Sequence, residues 1–270
     1  METKEQLLEI NKKQKDFYNV RKRNFTTRLW SSLRGGLLKK IRKDIGVHDQ
    51  AYAVHRAWFG DLSQKKVLDL GCYSGNFLSL HLAQHAKEYI GIDLSDVAIA
   101  KLKEKIKDIP TAQALAVDFF SDEFDHSDFD LIYAYGVLHH FKDTDMLIRH
   151  LKSMMKPDGE IISYDPLQTS LPVKFLRVIY RPFQSDAAWE WPFSRTTYRK
   201  YEKSFEIIER HGILGNSKMS FLLNFLPISE EKRVSLGQKM HKKDWEKSAV
   251  SDSHLFSCMH LTMLMKNKPV

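Results

Sequence analysis

The sequence predicts an α/β fold with a doubly wound, mostly parallel β-sheet, and two observations support this prediction. First, short apolar runs alternate with helical patterns from residue 66 onward, as is typical of a parallel sheet with helices on both faces. Second, the first apolar run ends in a glycine turn and the second ends in an acid. The expected strands are 66–70, 88–93, 112–117, 129–135 and 159–165, and the expected helices are 75–86, 95–108 and 143–155.

The turn after the first strand is the most informative part of the chain. Gly71 and Gly75 lie in this turn, where the lack of a Cβ lets the backbone approach a ligand closely. Asp93 ends the second strand, 18 residues after Gly75, and a carboxylate there can accept hydrogen bonds from both hydroxyls of a ribose. This order of strand, glycine turn, helix, strand and acid indicates a site for an adenine-ribose ligand.

The residues of the turn argue against a dinucleotide. Pyrophosphate binding uses a G-x-G-x-x-G pattern at the start of the helix, and this pattern is absent here. Asp69 lies two residues before Gly71, and its charge would repel a pyrophosphate but attract an ammonium or sulfonium group. A doubly wound reductase is therefore the weaker alternative.

The segment Asp69-x-Gly71-x-Tyr73-x-Gly75 resembles the D-x-G-x-G-x-G motif of class I S-adenosylmethionine-dependent methyltransferases, with Tyr73 in place of the middle glycine. Three further segments resemble later motifs of this family in the expected order. The resemblance extends from about residue 66 to residue 165, and ordered matches are more specific than a glycine turn alone. The three segments are 116–119 (AVDF), 129–140 (FDLIYAYGVLHH) and 155–160 (MKPDGE).

The resemblance implies a fold and a cofactor. The expected sheet has seven strands, of which 206–214 and 255–266 are the last two, and the final strand is antiparallel. The expected cofactor is S-adenosylmethionine, with S-adenosylhomocysteine as its product, and no metal is expected. In the family, an acid at the position of Asp118 contacts the adenine amino group, and the residue next to it packs on the adenine ring. The residues expected to bind the cofactor are Asp69, Gly71, Cys72, Tyr73, Gly75, Asp93, Leu94, Asp118, Phe119 and Tyr135.

Candidate residues for the reaction lie after the fourth and fifth strands. Methyl transfer from a sulfonium is an in-line displacement, so positioning can supply most of the acceleration, but a hydroxyl acceptor would also be helped by a base. His139 and His140 are the candidate bases, and at least one is expected to be structural because adjacent side chains cannot both face one ligand. The candidates for contact with the acceptor, with simple packing equally open, are Tyr18, Trp30, Asp165, Trp189 and Trp191.

The chain is expected to divide into an N-terminal helical arm or lid, residues 1–58, and a methyltransferase domain, residues 59–270. Prolines and aromatic residues interrupt the alternation of strands and helices at 166–195, which indicates an insertion after the fifth strand. A helix is expected near 196–204. Residues 217–250 are expected to be helical and begin with a strongly apolar segment.

The net charge of +8 is concentrated near the N-terminus, because residues 1–50 contain 13 Lys and Arg but 6 Asp and Glu. Residues 28–43 place basic side chains between apolar residues at helical spacing. We expect the apolar stripe to pack on the core, while contact with an anionic membrane surface stays open. Nucleic acid is not an expected partner, because the rest of the chain is nearly neutral and has no recognisable RNA-binding domain.

The two cysteines, Cys72 and Cys258, allow neither a disulfide framework nor a zinc site built from four thiols. The sequence also has no signal-type N-terminus and no run of 18 apolar residues, so a cytoplasmic location is expected.

The expected function is methylation of a small organic acceptor, enclosed by the arm and the 166–195 insertion, with oxygen favoured as the target atom. A lipid-linked or tRNA substrate is the alternative that the basic arm suggests. A non-catalytic subunit that binds S-adenosylmethionine is a second alternative, suggested by Tyr73 in the glycine turn.

Overall fold

The computed structural model describes residues 4–20, 39–170, 174–175 and 189–268. In these residues a seven-stranded sheet has the order β3-β2-β1-β4-β5-β7-β6. Strands β1 to β5 are parallel to one another, and β7 is antiparallel to both β5 and β6. The expected mostly parallel sheet is confirmed. The strands are β1 Lys66–Leu70, β2 Glu88–Asp93, β3 Ala112–Ala116, β4 Phe129–Tyr135, β5 Met155–Pro166, β6 Phe205–Ile213 and β7 His260–Asn267.

Helices flank the sheet, and their starts are set by side chains that cap the first turn. Asn76 accepts hydrogen bonds from the backbone N–H groups of Leu78 and Ser79, and Ser95 accepts one from Ala98. The helices are α1 Lys4–Val20, α2 Lys39–Asp44, α3 Val47–Phe59, α4 Phe77–His85, α5 Asp96–Ile106, α6 Thr144–Met154, α7 Arg195–Ser204, α8 Glu230–Val250 and α9 Asp252–Leu255.

Two expected boundaries were wrong. The last strand begins at His260 rather than at residue 255, because Ser251 caps the short helix α9 by accepting the N–H of His254. The fifth strand begins at Met155 rather than at residue 159 and carries a register irregularity: Met155 pairs with Phe129, and pairing resumes at Glu160 with Leu131.

Apolar side chains cover both faces of the sheet. On β4, Ile132 and Ala134 belong to one buried cluster, whereas Leu131 and Tyr133 belong to another, as the alternation of side chains along a strand requires. A third cluster joins α3 to the carboxyl ends of β5 and β6 through Ala51, Tyr164 and Ile213. The N-terminal region is therefore packed into the domain from α3 onward.

Several segments of the arm and the insertion lie outside the described residues. These are the part of the expected basic helix before residue 39, including Trp30, and most of the insertion between 171 and 188. The backbone of Tyr18 is part of α1, but its side chain lies outside the description. The division at residue 58 stays a prediction.

Candidate functional site

A cavity of about 270 Å³ lies beyond the carboxyl ends of β1, β2 and β4. Ligands of open parallel sheets bind at this edge because the loops that follow the strands converge there. Eight of its lining residues were expected from the sequence, seven as contacts of the cofactor and His140 as a candidate base, and their neighbours complete the wall. The cavity is lined by Asn11, Gln14, Leu70, Gly71, Tyr73, Ile92, Asp93, Leu94, Val117, Asp118, Phe119, Tyr135, Gly136, Val137, His140 and Phe141.

The turn after β1 uses left-handed backbone at three alternate positions. Gly71, Tyr73 and Gly75 have φ values of 68°, 49° and 72°. A Cβ on Gly71 would lie 2.4 Å from Cγ2 of Val137, and a Cβ on Gly75 would lie 2.7 Å from Cδ1 of Leu102. Tyr73 adopts the conformation that a glycine would favour there, so the tyrosine fits the turn at the cost of some backbone strain.

Asp93 is held against this turn by two backbone donors. The N–H of Tyr73 donates to Oδ2 at 2.9 Å, and the N–H of Ser95 donates to Oδ1 at 2.8 Å. Burial raises the pKa of Asp93, and these two hydrogen bonds partly oppose that effect. The carboxylate is therefore fixed in orientation at the cavity wall, and its remaining lone pairs can accept hydrogen bonds from a diol.

Asp69 and Cys72 lie beneath the turn rather than on the cavity wall. Asp69 is 2% exposed and accepts a 2.8 Å hydrogen bond from the hydroxyl of Tyr89. Burial raises the pKa of Asp69 to about 7, so its charge at neutral pH depends on its surroundings. The pKa of the Cys72 thiol is also raised by burial, which disfavours the reactive thiolate.

Helix α1 closes the opposite side of the cavity through contacts that the sequence did not predict. Asn11 Nδ2 donates to Oδ2 of Asp118 at 2.8 Å, while Oδ1 of Asp118 accepts the N–H of Phe120. Asn11 and Gln14 are 8% and 4% exposed, although both are polar and lie on a helix of low hydropathy. No local pattern marks them, because their burial depends on docking onto residues about 100 positions away.

Two ion and hydrogen-bond contacts hold α1 to the start of α5. Lys15 pairs with Asp96 at 2.9 Å, and Ser95 Oγ donates to Oδ1 of Asn19 at 2.7 Å. The first contact is partly exposed and contributes little to stability, whereas Ser95 is buried. Helix α1 therefore covers the cavity through polar contacts that can break and form again.

The two adjacent histidines have different environments. His139 is 7% exposed, and both its backbone N–H and Nδ1 contact Oδ1 of Asp165, at 3.1 and 2.9 Å. His140 lines the cavity, and its Nδ1 lies 2.7 Å from the carbonyl oxygen of Trp189. Because a carbonyl only accepts, Nδ1 of His140 carries the proton, and Nε2 is the unprotonated nitrogen of the neutral ring.

Asp165, Trp189 and Trp191 support the histidine pair from outside the cavity. Asp165 is 1% exposed, burial raises its pKa, and its Oδ2 has no hydrogen-bond partner among the described residues. The N–H of Trp191 donates to the carbonyl oxygen of His139 at 2.7 Å. The tryptophans thus contact the pair through their backbone, and neither lines the cavity.

Tyrosine rings form the floor beside Gly136. Tyr135 lines the cavity and stacks on Tyr164 at 4.6 Å between ring centroids, with an angle of 9° between the planes. Tyr52 of α3 meets the edge of Tyr135 at 5.7 Å. These contacts tie the cavity to the packed N-terminal helix α3.

Comparison with known proteins agrees with the fold. A family model described as a methyltransferase domain matches residues 47–210. A tRNA U34 carboxymethyltransferase of Idiomarina loihiensis is 29% identical over 106 residues, which is 38% of this chain and 33% of that protein. A ubiquinone biosynthesis O-methyltransferase of Actinobacillus pleuropneumoniae is 31% identical over 121 residues, which is 43% of this chain and 51% of that protein. These matches thus span between a third and a half of each relative's length.

Solved structures share the fold over most of the chain. Magnesium protoporphyrin IX methyltransferase from Synechocystis, solved with bound S-adenosylhomocysteine, has a TM-score of 0.56 at 18% identity and covers 96% of this chain and 99% of its own. The N-methyltransferase NodS from Bradyrhizobium japonicum has a TM-score of 0.52 at 14% identity and covers 86% and 98%. The family match over more than half of the chain, on a sheet of the expected topology, shows that this protein belongs to the Rossmann-like methyltransferase family.

Proposed function

We propose that this protein binds S-adenosylmethionine in the cavity and transfers its methyl group to a small organic acceptor, with oxygen as the favoured target atom. The observation that carries the proposal is the fixed carboxylate of Asp93 at a wall built from close-approach backbone. A buried acid with two backbone donors and a free face toward a cavity suits a ribose diol.

The remaining wall fits the other parts of this cofactor. Asp118 and Phe119 line the cavity and would take the adenine amino group and ring, and Leu94 lines it beside Asp93. Gly136 has a φ of 72°, and a Cβ built on it would meet nothing within 4 Å, so the backbone faces open space toward the cavity. Gly71 and Tyr135 complete the end that would take the methionine part. The cofactor supplies an electron-poor methyl carbon on a sulfonium.

His140 is the residue that we assign as the base. The hydrogen bond from its Nδ1 to the carbonyl of Trp189 fixes the tautomer in which Nε2 can accept a proton. With S-adenosylmethionine bound, its sulfonium would supply the methyl group, and Nε2 of His140 would take the proton that the acceptor hydroxyl gives up. His139 and Asp165 do not line the cavity, and they act as positioning residues that hold the loop after β4.

The first test is calorimetry of the purified protein with S-adenosylmethionine, S-adenosylhomocysteine and NADH. We expect both sulfur nucleosides to bind and NADH not to bind. Mass spectrometry of incubations with phenols, quinols, sugars and amines then identifies a product heavier by one methyl group. Absence of binding by either sulfur nucleoside would contradict the proposed cofactor.

Oxygen is favoured over nitrogen because a neutral hydroxyl needs a proton acceptor, and His140 provides one at the cavity. Similarity to the ubiquinone biosynthesis O-methyltransferase supports the same choice. The turnover of matched phenol and aniline acceptors would separate the two. A strong preference for the aniline would contradict the assignment.

The second candidate function is modification of tRNA, which the similarity to tRNA U34 carboxymethyltransferases favours. That similarity covers only 38% of this chain and 33% of the relative. Incubation with labelled cofactor and total tRNA, followed by nucleoside analysis, distinguishes this function from small-molecule methylation. A cytoplasmic location stays a prediction under either function.

The geometry of the turn removes the reason, Tyr73 in place of a glycine, for which the non-catalytic alternative was considered. Tyr73 occupies the turn with left-handed backbone and donates its N–H to Asp93, so the substitution preserves the site's shape. If the protein binds S-adenosylmethionine but methylates none of the tested acceptor classes, including tRNA, the non-catalytic alternative becomes the preferred function.

A further inference from the structure

An exposed apolar segment follows β6. Residues Asn216–Phe225 form a 3₁₀ helix, and four large apolar side chains on it or just after it are strongly exposed. Phe225 is 80% exposed, and the others are Leu226 at 49% and Met219 and Leu222 at 44% each. Exposed apolar side chains that cluster in this way mark a contact surface.

The segment is fixed in place rather than loosely attached. The carboxylate of Asp244 on α8 accepts the N–H groups of Asn216 and Ser217, at 2.8 and 2.7 Å. Lys218 Nζ donates to the carbonyl oxygens of Gly215 and Ser257. Small polar residues Ser217 and Ser220 face α8 and are buried, so the larger apolar residues are left on the outer side.

A basic helix adjoins this segment at Gly237 of α8. A Cβ on Gly237 would lie 2.5 Å from Cγ2 of Ile45, which follows α2, and 3.7 Å from Cβ of Ser220. Helix α2 has the sequence KKIRKD, with four basic residues and one acid, and Lys39 and Lys43 are exposed. Lys40 bridges α2 to the first turn of α8 by pairing with Glu230 at 2.7 Å.

These neighbours form what we call the docking face, defined as Met219, Leu222, Phe225, Leu226, Lys39 and Lys43. The face lies at the same edge of the sheet as the cavity. Ile213, the last residue of β6, and Pro166, the last residue of β5, both pair with His260 of β7. The apolar segment therefore begins level with the carboxyl end of β5.

We propose that the docking face seats the protein on the surface of an anionic lipid bilayer. Apolar side chains in a fixed helix can enter the interface between head groups and acyl chains, while lysines beside them are attracted to acidic lipids. In the described part of the chain, no helix is long and apolar enough to cross a membrane, so this contact is peripheral. RNA bases could stack on Phe225 but would leave Met219, Leu222 and Leu226 without apolar surroundings, and a second copy would bring like-charged α2 helices together.

The inference goes beyond the proposed function, since lipid contact needs neither cofactor nor acceptor. It places the cavity edge near the lipid, where an acceptor dissolved in the bilayer is concentrated.

The test is sedimentation of the full chain with vesicles of phosphatidylcholine alone or mixed with phosphatidylglycerol. We expect binding only to the mixed vesicles, weakening as salt is raised because the charged part is screened. Binding to neither vesicle, or equal binding to both, would overturn the proposal.

Two pairs of substitutions separate the two parts of the face. Phe225→Ser with Leu226→Ser should weaken binding about tenfold or more by removing apolar contact. Lys39→Ala with Lys43→Ala should weaken it about tenfold or more, at about fivefold for each lysine near the surface. Neither pair should change the melting temperature by more than the control variants, because all four side chains are exposed or outside the core.

The matched controls lie away from the face. Val250→Ser removes an apolar side chain that is 86% exposed at the far end of α8, and Lys101→Ala with Lys103→Ala removes two exposed charges from α5. Controls that lose as much binding as the test variants would overturn the proposal, as would a Phe225-dependent dimer in ultracentrifugation with no vesicle contact. If the protein binds vesicles but does not bind S-adenosylmethionine, only the proposed function is rejected.

Discussion

The two ends of the cavity are built in different ways. At the cofactor end, the turn after β1 and the acid after β2 come from neighbouring strands and are joined by backbone hydrogen bonds within 20 residues of sequence. At the acceptor end, His140 is positioned by the carbonyl of Trp189, 49 residues further along, and His139 by Asp165. The first end depends on short-range geometry, and the second depends on contacts with residues 26 and 49 positions further along the chain.

The two ends of the cavity are therefore expected to tolerate substitutions differently. Backbone contacts at the cofactor end leave little room, because a Cβ at Gly71 would overlap Val137. Side-chain and carbonyl contacts at the acceptor end can be altered one at a time. Variants at the two ends should therefore change different measured quantities.

The largest effect is expected from His140→Gln. Removal of the proton acceptor should lower kcat by about 100- to 10,000-fold for a hydroxyl acceptor, with the dissociation constant of S-adenosylmethionine little changed. Steady-state kinetics and calorimetry measure the two quantities, and His85→Gln on the surface of α4 is the matched control. An unchanged kcat would remove His140 as the base.

The next effect is the pH dependence that Asp69 gives to stability. Below pH 4 both folded and unfolded states hold its proton, but between about pH 4 and 7 only the folded state does, because burial raises the pKa of Asp69 to about 7. Unfolding then releases a proton, so this contribution to stability falls as pH rises through that window, by about 4 kcal/mol at most. Urea unfolding at several pH values should show a shallower fall for Asp69→Asn, and equal slopes would contradict the raised pKa.

Gly71→Ala should destabilise the cofactor end by about 2–4 kcal/mol. The new Cβ meets Val137 and also strains a backbone with φ of 68°. Gly46→Ala is the control that separates the two causes, because Gly46 has φ of 78° but nothing within 4 Å of the added Cβ. Urea unfolding should show a loss of about 1–2 kcal/mol for the control. Equal losses in both variants would mean that contact with Val137 contributes nothing.

Asp93→Ala should weaken S-adenosylmethionine binding by about 10- to 100-fold, the loss expected for hydrogen bonds to a charged group. Calorimetry measures the change. Asp108→Ala is the control, because Asp108 is an exposed acid just after α5. Tight binding by Asp93→Ala would contradict the assignment of this acid to the ribose.

The smallest effect is expected from Asn11→Ala in α1. Loss of its hydrogen bond to Asp118 should weaken S-adenosylmethionine binding about three- to tenfold, mainly through faster dissociation, because the helix covers the cavity. Stopped-flow displacement measures the rate, and Lys12→Ala on the exposed face is the control. A slower dissociation would mean that α1 obstructs the cofactor rather than retaining it.

Much of the cofactor end could be predicted from the sequence. The five parallel strands, the glycine turn and Asp93 each follow from a local pattern of a few residues whose backbone needs are specific. Asn11 and Gln14 could not be predicted, because a polar residue on a polar helix carries no sign that it will be buried against a distant acid. The start of β7 was placed too early because the apolar residues of α9 continue directly into the strand pattern.

Periodicity and turn chemistry within short stretches of sequence were enough to predict the sheet, the family resemblance, and the glycine turn and acid that line the cavity. Which histidine faces the cavity depends on tertiary contacts that the sequence does not show. His139 contacts Asp165 of β5, whereas His140 contacts the carbonyl oxygen of Trp189. The tertiary structure also decided that α1 covers the cavity and that Phe225 faces outward. Such contacts join residues far apart in the chain, and their free energy exists only once the elements have packed.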